Sequence, residues 1–181
     1  MLKKSVIALV LITLAGCASH STKESTSSPE PQTKSIATGT LAIQDIVFND
    51  DAGVPEAVKK ECNLLKELSE HIKTANASQY ATILEGSSAP ANADVLKVEI
   101  INLVGPGGGA WSGGKSVMIK GSLSRQGKHI SSFKALRVSG GGVWGGYMGT
   151  CAILGRCVTT LGEDIAGWLK NPVDGAKLGD L

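Results

Sequence analysis

Two glycine-rich stretches carry the patterns closest to chemistry. Gly109-Ala110-Trp111-Ser112-Gly113-Gly114-Lys115-Ser116 matches the phosphate-loop pattern letter for letter. That chemistry needs a helix N-terminus directly after the lysine, so that amides and helix dipole aim at the phosphates. Lys115-Ser116 instead opens Val117-Met118-Ile119-Lys120-Gly121, which alternates as a strand does. The stretch therefore reads as a hairpin connection made of glycine, and no nucleotide is expected. Gly140-Gly141-Gly142-Val143-Trp144-Gly145 fits the dinucleotide-binding spacing G-x-G-x-x-G. No strand is expected after the helix that follows it, so the strand–helix–strand unit that spacing serves is missing. The three histidines, His20, His71 and His129, assemble no nucleophile–base–orienter set, and no histidine, cysteine and carboxylate spacing points to a metal site. These residues offer neither catalysis nor a cofactor site.

The elements that position these loops follow from periodicity. Leu41 to Phe48 is a β-branched run that reads as the first strand. Pro55 suits the first turn of a helix, and Val58, Cys62, Leu65, Leu68 and Ile72 recur at helical spacing to about Thr74. His71 falls on the polar side of that helix beside Glu67 and Glu70, as a solvated surface residue. Thr82-Ile83-Leu84 is a short strand or turn. Val95 to Val104 is a strong strand, and Ser116–Ser124 with His129–Val138 forms a hairpin around Arg125-Gln126-Gly127-Lys128. A last helix, about Cys151 to Leu169, carries Leu154, Val158, Leu161, Ile165 and Trp168 on one face and stops at Asn171-Pro172. The expected fold is a two-layer α/β sandwich in the order β-α-β-β-β-α, with two helices on one face of a mainly antiparallel sheet.

The N-terminus sets the compartment. Lys3-Lys4, an apolar run from Val6 to Leu14 and the small residues Ala15-Gly16 read as a secretion signal. The run is shorter than the ~20 residues of a membrane span. Leu14-Ala15-Gly16-Cys17 resembles the lipobox of bacterial lipoproteins. That resemblance implies removal of residues 1–16 and acylation of Cys17, and Ala18, in place of aspartate, implies export to the outer membrane with the protein facing the periplasm. Residues 17–38, rich in Ser, Thr, Pro, Lys and Glu, read as a disordered tether carrying the anchor. Residues 39–172 form a single domain and 173–181 a flexible tail. Lys3 and Lys4 are two of the 18 basic residues, so their loss leaves sixteen against 16 acidic ones. A near-neutral chain has no broad basic field for nucleic acid.

Export to an oxidising compartment gives the remaining cysteines a meaning. Cys62, Cys151 and Cys157 are left once Cys17 is lipidated. Cys151 and Cys157 on one helix would sit ~9 Å apart along its axis, beyond disulfide reach. A bridge from Cys62 to Cys151 is preferred, with Cys157 as the alternative partner; buried free thiols are the remaining reading.

The second glycine loop allows one further reading. Gly141, Gly145 and Gly149 recur every four residues, and Val138 to Gly155 carries no charge. Such spacing packs helices in membranes, although three consecutive glycines disfavour helix outside them. Trp111, Trp144 and Tyr147 in the two loops form a candidate recognition surface, since aromatics are enriched at interfaces.

Residues 149–169, Gly-Thr-Cys-Ala-Ile-Leu-Gly-Arg-Cys…Leu-Gly-Glu-Asp-Ile-Ala-Gly-Trp-Leu, together with the lipobox, resemble small uncharacterised outer-membrane lipoproteins. The element order is similar to the small α/β domain of the TolB N-terminal region and of the curli-secretion lipoprotein. The resemblance implies an anchored, non-enzymatic binding or assembly module, held to the membrane through lipid and contacting an unidentified envelope protein. An oligomeric or membrane-inserting component built on residues 138–155 is the alternative.

Overall fold

The computed structural model describes residues 38–105, 114–139 and 149–181, all within one compact unit, residues 35–181. Cys17, Trp111, Trp144 and Tyr147 lie outside the described residues. The elements are β1 (Thr40–Ile43), β2 (Val47–Phe48), α1 (Glu56–Glu61), α2 (Leu64–Asn76), β3 (Thr82–Glu85), β4 (Asp94–Val104), β5 (Lys115–Arg125), β6 (Lys128–Ser139), α3 (Thr150–Leu169) and β7 (Ala176–Gly179).

Among the described residues the strands make one seven-stranded sheet in the order β3-β1-β4-β5-β6-β7, with β2 also against β4. The long strands β4, β5 and β6 are antiparallel, while β1, β2, β3 and β7 join in parallel. The helices pack on one face, so the α/β sandwich is the architecture. The element order differs from the expected one in four places. The first strand divides, β1 pairing with the start of β4 and β2 further along it. The first helix divides as well: Cys62 is extended (φ −107°, ψ 128°). The break shifts the helical phase, so Leu64 is buried in place of Leu65. Thr82–Glu85, expected as a short strand or turn and left out of that order, is an edge strand beside β1.

The fourth difference lies at the C-terminus. The expected loose tail of residues 173–181 instead contains β7, paired with β6 from Phe133↔Ala176 to Leu136↔Gly179. Its pairing is fixed by contacts outside the strand. Asp180 accepts from the Val138 amide (2.8 Å) and meets Arg137 (3.3 Å), while Asp174 accepts from Ser132 (2.7 Å). A strand–helix–strand unit, β6-α3-β7, therefore exists where the sequence predicted none. The glycine spacing still does not fit it: Gly145 precedes Thr150, the start of α3, by five residues, whereas the dinucleotide pattern puts its last glycine against the helix. Val138 and Ser139 belong to β6, and Gly149 is extended (φ −62°, ψ 156°). Residues 138–155 consequently do not form one continuous helix, and no described helix is long and apolar enough to cross a membrane.

Alternation along the long strands decides what the helices cover. Leu96, Val98 and Ile100 of β4, Val117, Ile119 and Leu123 of β5, and Phe133 and Ala135 of β6 are all buried. A bulge between Ile100 and Asn102 shifts the alternation, so Leu103 also turns inward. Against them α2 sets Leu68 and Ile72, and α3 sets Leu154, Val158, Leu161, Ile165 and Trp168. The Trp168 and Phe133 rings meet at 4.7 Å between centroids. The two helices approach closely at Gly162, where a Cβ would lie 2.7 Å from His71 Cβ.

Candidate functional site

Side chains opposite the core face point away from the helices, and among the described residues no element covers them. They form rows across the strands. Glu99 pairs with Lys120 in β4–β5, Lys120 with Lys134 in β5–β6, and Lys134 with Lys177 in β6–β7. The next row toward the hairpin turn is Lys97, Ser122 and Ser132. On the other side come Asn102, Met118 and Leu136, then Val104, Ser116 and Val138. Lys97, Lys120, Ser122, Ser132, Lys134 and Lys177 line a cleft of about 530 Å³ on this face.

The charges in the rows are unequal. Glu99 takes Lys120 at 2.8 Å and Lys97 at 2.9 Å and accepts from Asn49 at 3.3 Å. The hydrogen bond from Lys120, then that from Lys97, holds the Glu99 carboxyl down to about 2. Lys134 and Lys177 face solvent and, among the described residues, have no ion pair. Three lysines thus stand directly across from one another on consecutive strands with one carboxylate at the end of the row, an arrangement that destabilises a sheet.

Other polar clusters serve the fold. Asp174 accepts from both Ser132 (2.7 Å) and His129 (3.3 Å), and these bonds hold its carboxyl below the usual range, the Ser132 bond most. Serine, histidine and aspartate meet here, but the carboxylate sits between the other two and no imidazole faces the hydroxyl, so the wiring of a hydrolytic triad is absent. The cluster fastens β7 to β6. Asp94 accepts from the Tyr80 hydroxyl (3.3 Å) and from Nε and Nη2 of Arg125. Burial and the neighbouring Asp94 push the Tyr80 hydroxyl up to about 12. Arg137 takes both oxygens of Asp164 (2.7 and 2.6 Å), tying β6 to α3.

Cys62 and Cys151 are joined by a disulfide, with Cα atoms 5.2 Å apart, linking the end of α1 to the first turn of α3. Cys157 is a buried free thiol whose ionisation is pushed up by burial. Its sulfur lies 3.8 Å from the Lys115 carbonyl. Lys115 opens β5 with its side chain fully buried in the core. His71 is not the solvated residue expected from its neighbours: it is half-buried, and its Nε2 lies 2.9 Å from the Thr159 hydroxyl of α3. Among the described residues no group of three histidines, cysteines or carboxylates is placed to hold a metal. The sequence reading overlooked the lysine row. Its signal was the outward register of Lys97, Lys120 and Lys134, but Lys177 lay in a segment with no strand pattern.

No family model matches the sequence, and no curated protein matches it. Among solved structures the fold is similar to a Xanthomonas campestris protein of family DUF330, at 11% identity over 78% of this chain and 88% of that one, with a TM-score of 0.50. It is also similar to a putative neuraminyllactose-binding hemagglutinin homolog from Helicobacter pylori (14% identity, 76% and 85% covered, TM-score 0.45). A minor lipoprotein from Acinetobacter baumannii matches at 13% identity over 74% and 91%, with a TM-score of 0.43. At such identities the likeness is one of fold, and function is not transferred with it.

Proposed function

We propose that the chain is a non-enzymatic, lipid-anchored envelope protein, a tethered module that binds or assembles with another envelope component through the bare face of its sheet. Residues 1–16 direct export, Cys17 carries the lipid, residues 17–38 are the tether, and the domain faces the periplasm from the outer membrane. The observation that supports this most is the division of the sheet. Among the described residues, helices close one face and leave the other as a lysine-lined cleft in which no nucleophile is wired to a base. Several acyl chains hold a protein stably on a membrane, so the domain needs no contact of its own with lipid and its bare face is available to a partner.

The test is metabolic palmitate labelling with envelope fractionation, for wild type and Cys17→Ala. Wild type should label and sediment with the outer membrane, and Cys17→Ala should do neither. Unlabelled wild-type protein in the cytosol would overturn the reading.

A further inference from the structure

We propose that the cleft on the bare sheet face is a docking groove for an acidic helix of a partner protein, laid across the strands along the row Lys120-Lys134-Lys177. This deepens the binding role proposed above and rests on it. The chemistry of the occupant follows from three observations.

The first is charge. Lys120, Lys134 and Lys177 are cross-strand neighbours, and Glu99 at the end of the row is already shared between Lys97 and Lys120. Solvation alone does not explain the placement. Lysines that blunt a sheet edge sit on the edge strand, and Lys120 and Lys134 lie on the two strands inside it. Anionic groups brought over the row would turn its mutual repulsion into attraction.

The second is pitch. Neighbouring strands lie about 4.8 Å apart, so the three lysines repeat at that interval in a line perpendicular to the strands. Side chains at i and i+4, or i and i+3, on a helix lie about 5–6 Å apart, close enough for flexible lysines to meet each one. On an extended chain, same-side residues recur at roughly 6.6–6.8 Å and fall out of step by the third.

The third is what flanks the row. On one side stand Met118 and Leu136, both half-buried, followed by the exposed Val104 and Val138; on the other stand the hydroxyls of Ser122 and Ser132. An amphipathic helix with a glutamate stripe and an apolar flank meets the charged row and the apolar residues beside it together. A sugar polymer would leave the apolar residues bare, and a flat lipid leaflet does not enter a cleft. The helix would complete a third layer on a sheet that has two.

The experiment uses the full mature chain in mild detergent and a capped helical peptide with glutamate at i, i+4 and i+8 and leucine beside the stripe. Three comparison probes are the same peptide with glutamine for glutamate, an isomer with its glutamates spread around the helix, and two other anions, polygalacturonate and phosphatidylglycerol vesicles. The striped peptide should bind at least tenfold more tightly than either other peptide, and raised salt should weaken it. Lys134→Glu with Lys177→Glu should weaken it at least tenfold, and Lys134→Gln severalfold. Lys60→Glu with Lys66→Glu, on α1 and α2, makes the same change in net charge and should leave binding within twofold. An unaltered unfolding midpoint verifies that each variant is folded. Equal binding of the striped and spread isomers, preference for the glycan or the vesicles, or unaltered binding by the Lys134 and Lys177 variants would overturn the docking groove. Anchoring is read separately by palmitate labelling, so an anchored protein that ignores the striped peptide would remove this occupant and leave the envelope reading standing.

Discussion

The long strands β4, β5 and β6 show two faces built on opposite rules. Toward the helices, every second residue from Leu96 to Ile100 and from Val117 to Ile119 is buried, and the layer is cross-linked through Cys62 and Cys151. Away from them, Lys120 and Lys134 stand side by side with Lys177 of β7, and among the described residues Lys134 and Lys177 have no ion pair. Burial of apolar area accounts for most of the first face, with the fully buried Lys115 of β5 as the exception. The second has no such account, because like charges in register work against the sheet that holds them. A feature that costs stability and sits over a cleft is what the proposed docking groove accounts for.

Four variants sharpen or break this contrast. Removing the cross-link with Cys62→Ser and Cys151→Ser, which closes a loop across 89 positions, should cost about 4–5 kcal/mol on the chain-entropy account, measured by denaturant unfolding with and without reductant. Leu161→Ala, at a fully buried position of α3, should cost about 2–5 kcal/mol. While the protein remains folded, neither should alter binding of an acidic peptide to the other face. If Leu161→Ala weakens that binding as much as a lysine change does, the two faces are not independent.

The third concerns acid. Glu99 is held at about 2 against an ordinary 4.5. A carboxyl whose folded-state pKa lies below its unfolded value adds stability once ionised. That contribution is complete above about pH 4.5 and disappears as the pH falls through about 2. The lysines around it are half exposed, so solvent screening reduces the effect to roughly 1 kcal/mol. In Glu99→Gln the unfolding free energy should fall less between pH 5 and pH 2 than in wild type; an identical slope would show that the carboxylate is not paired in solution. The smallest effect has the opposite sign. Lys177→Glu puts opposite charges across from each other at Lys134 and should stabilise by a few tenths of a kcal/mol at low salt, while weakening acidic-peptide binding severalfold. A loss of stability there would mean that the lysine row is no burden to the fold.

Much of the covered face was legible in the sequence. Leu154, Val158, Leu161, Ile165 and Trp168 mark one stripe of a helix, and Val117, Ile119 and Leu123 one side of a strand, because burial imposes the period of the element. The break at Cys62-Asn63 was not legible, because Val58, Cys62, Leu65, Leu68 and Ile72 keep a helical spacing across it. His71 was misjudged because its neighbours in sequence are charged, while its neighbour in space is a glycine of α3 that lets the helices touch. The lysine row was hidden twice. The chain carries 18 basic against 16 acidic residues, so composition gives no sign of it, and its last member sits on Ala176-Lys177-Leu178-Gly179, which carries no β-branched residue. That strand owes its place to Asp174 and Asp180 on either side of it.

The shortness of β7 has a kinetic consequence. It meets β6 over four residue pairs and forms the rim of the sheet, so it can peel back at a smaller free energy than the long strands can separate. Amide protons of residues 176–179 should then exchange with solvent well before those of residues 117–123. The outer wall of the proposed groove is therefore the part of the sheet that opens at the smallest cost.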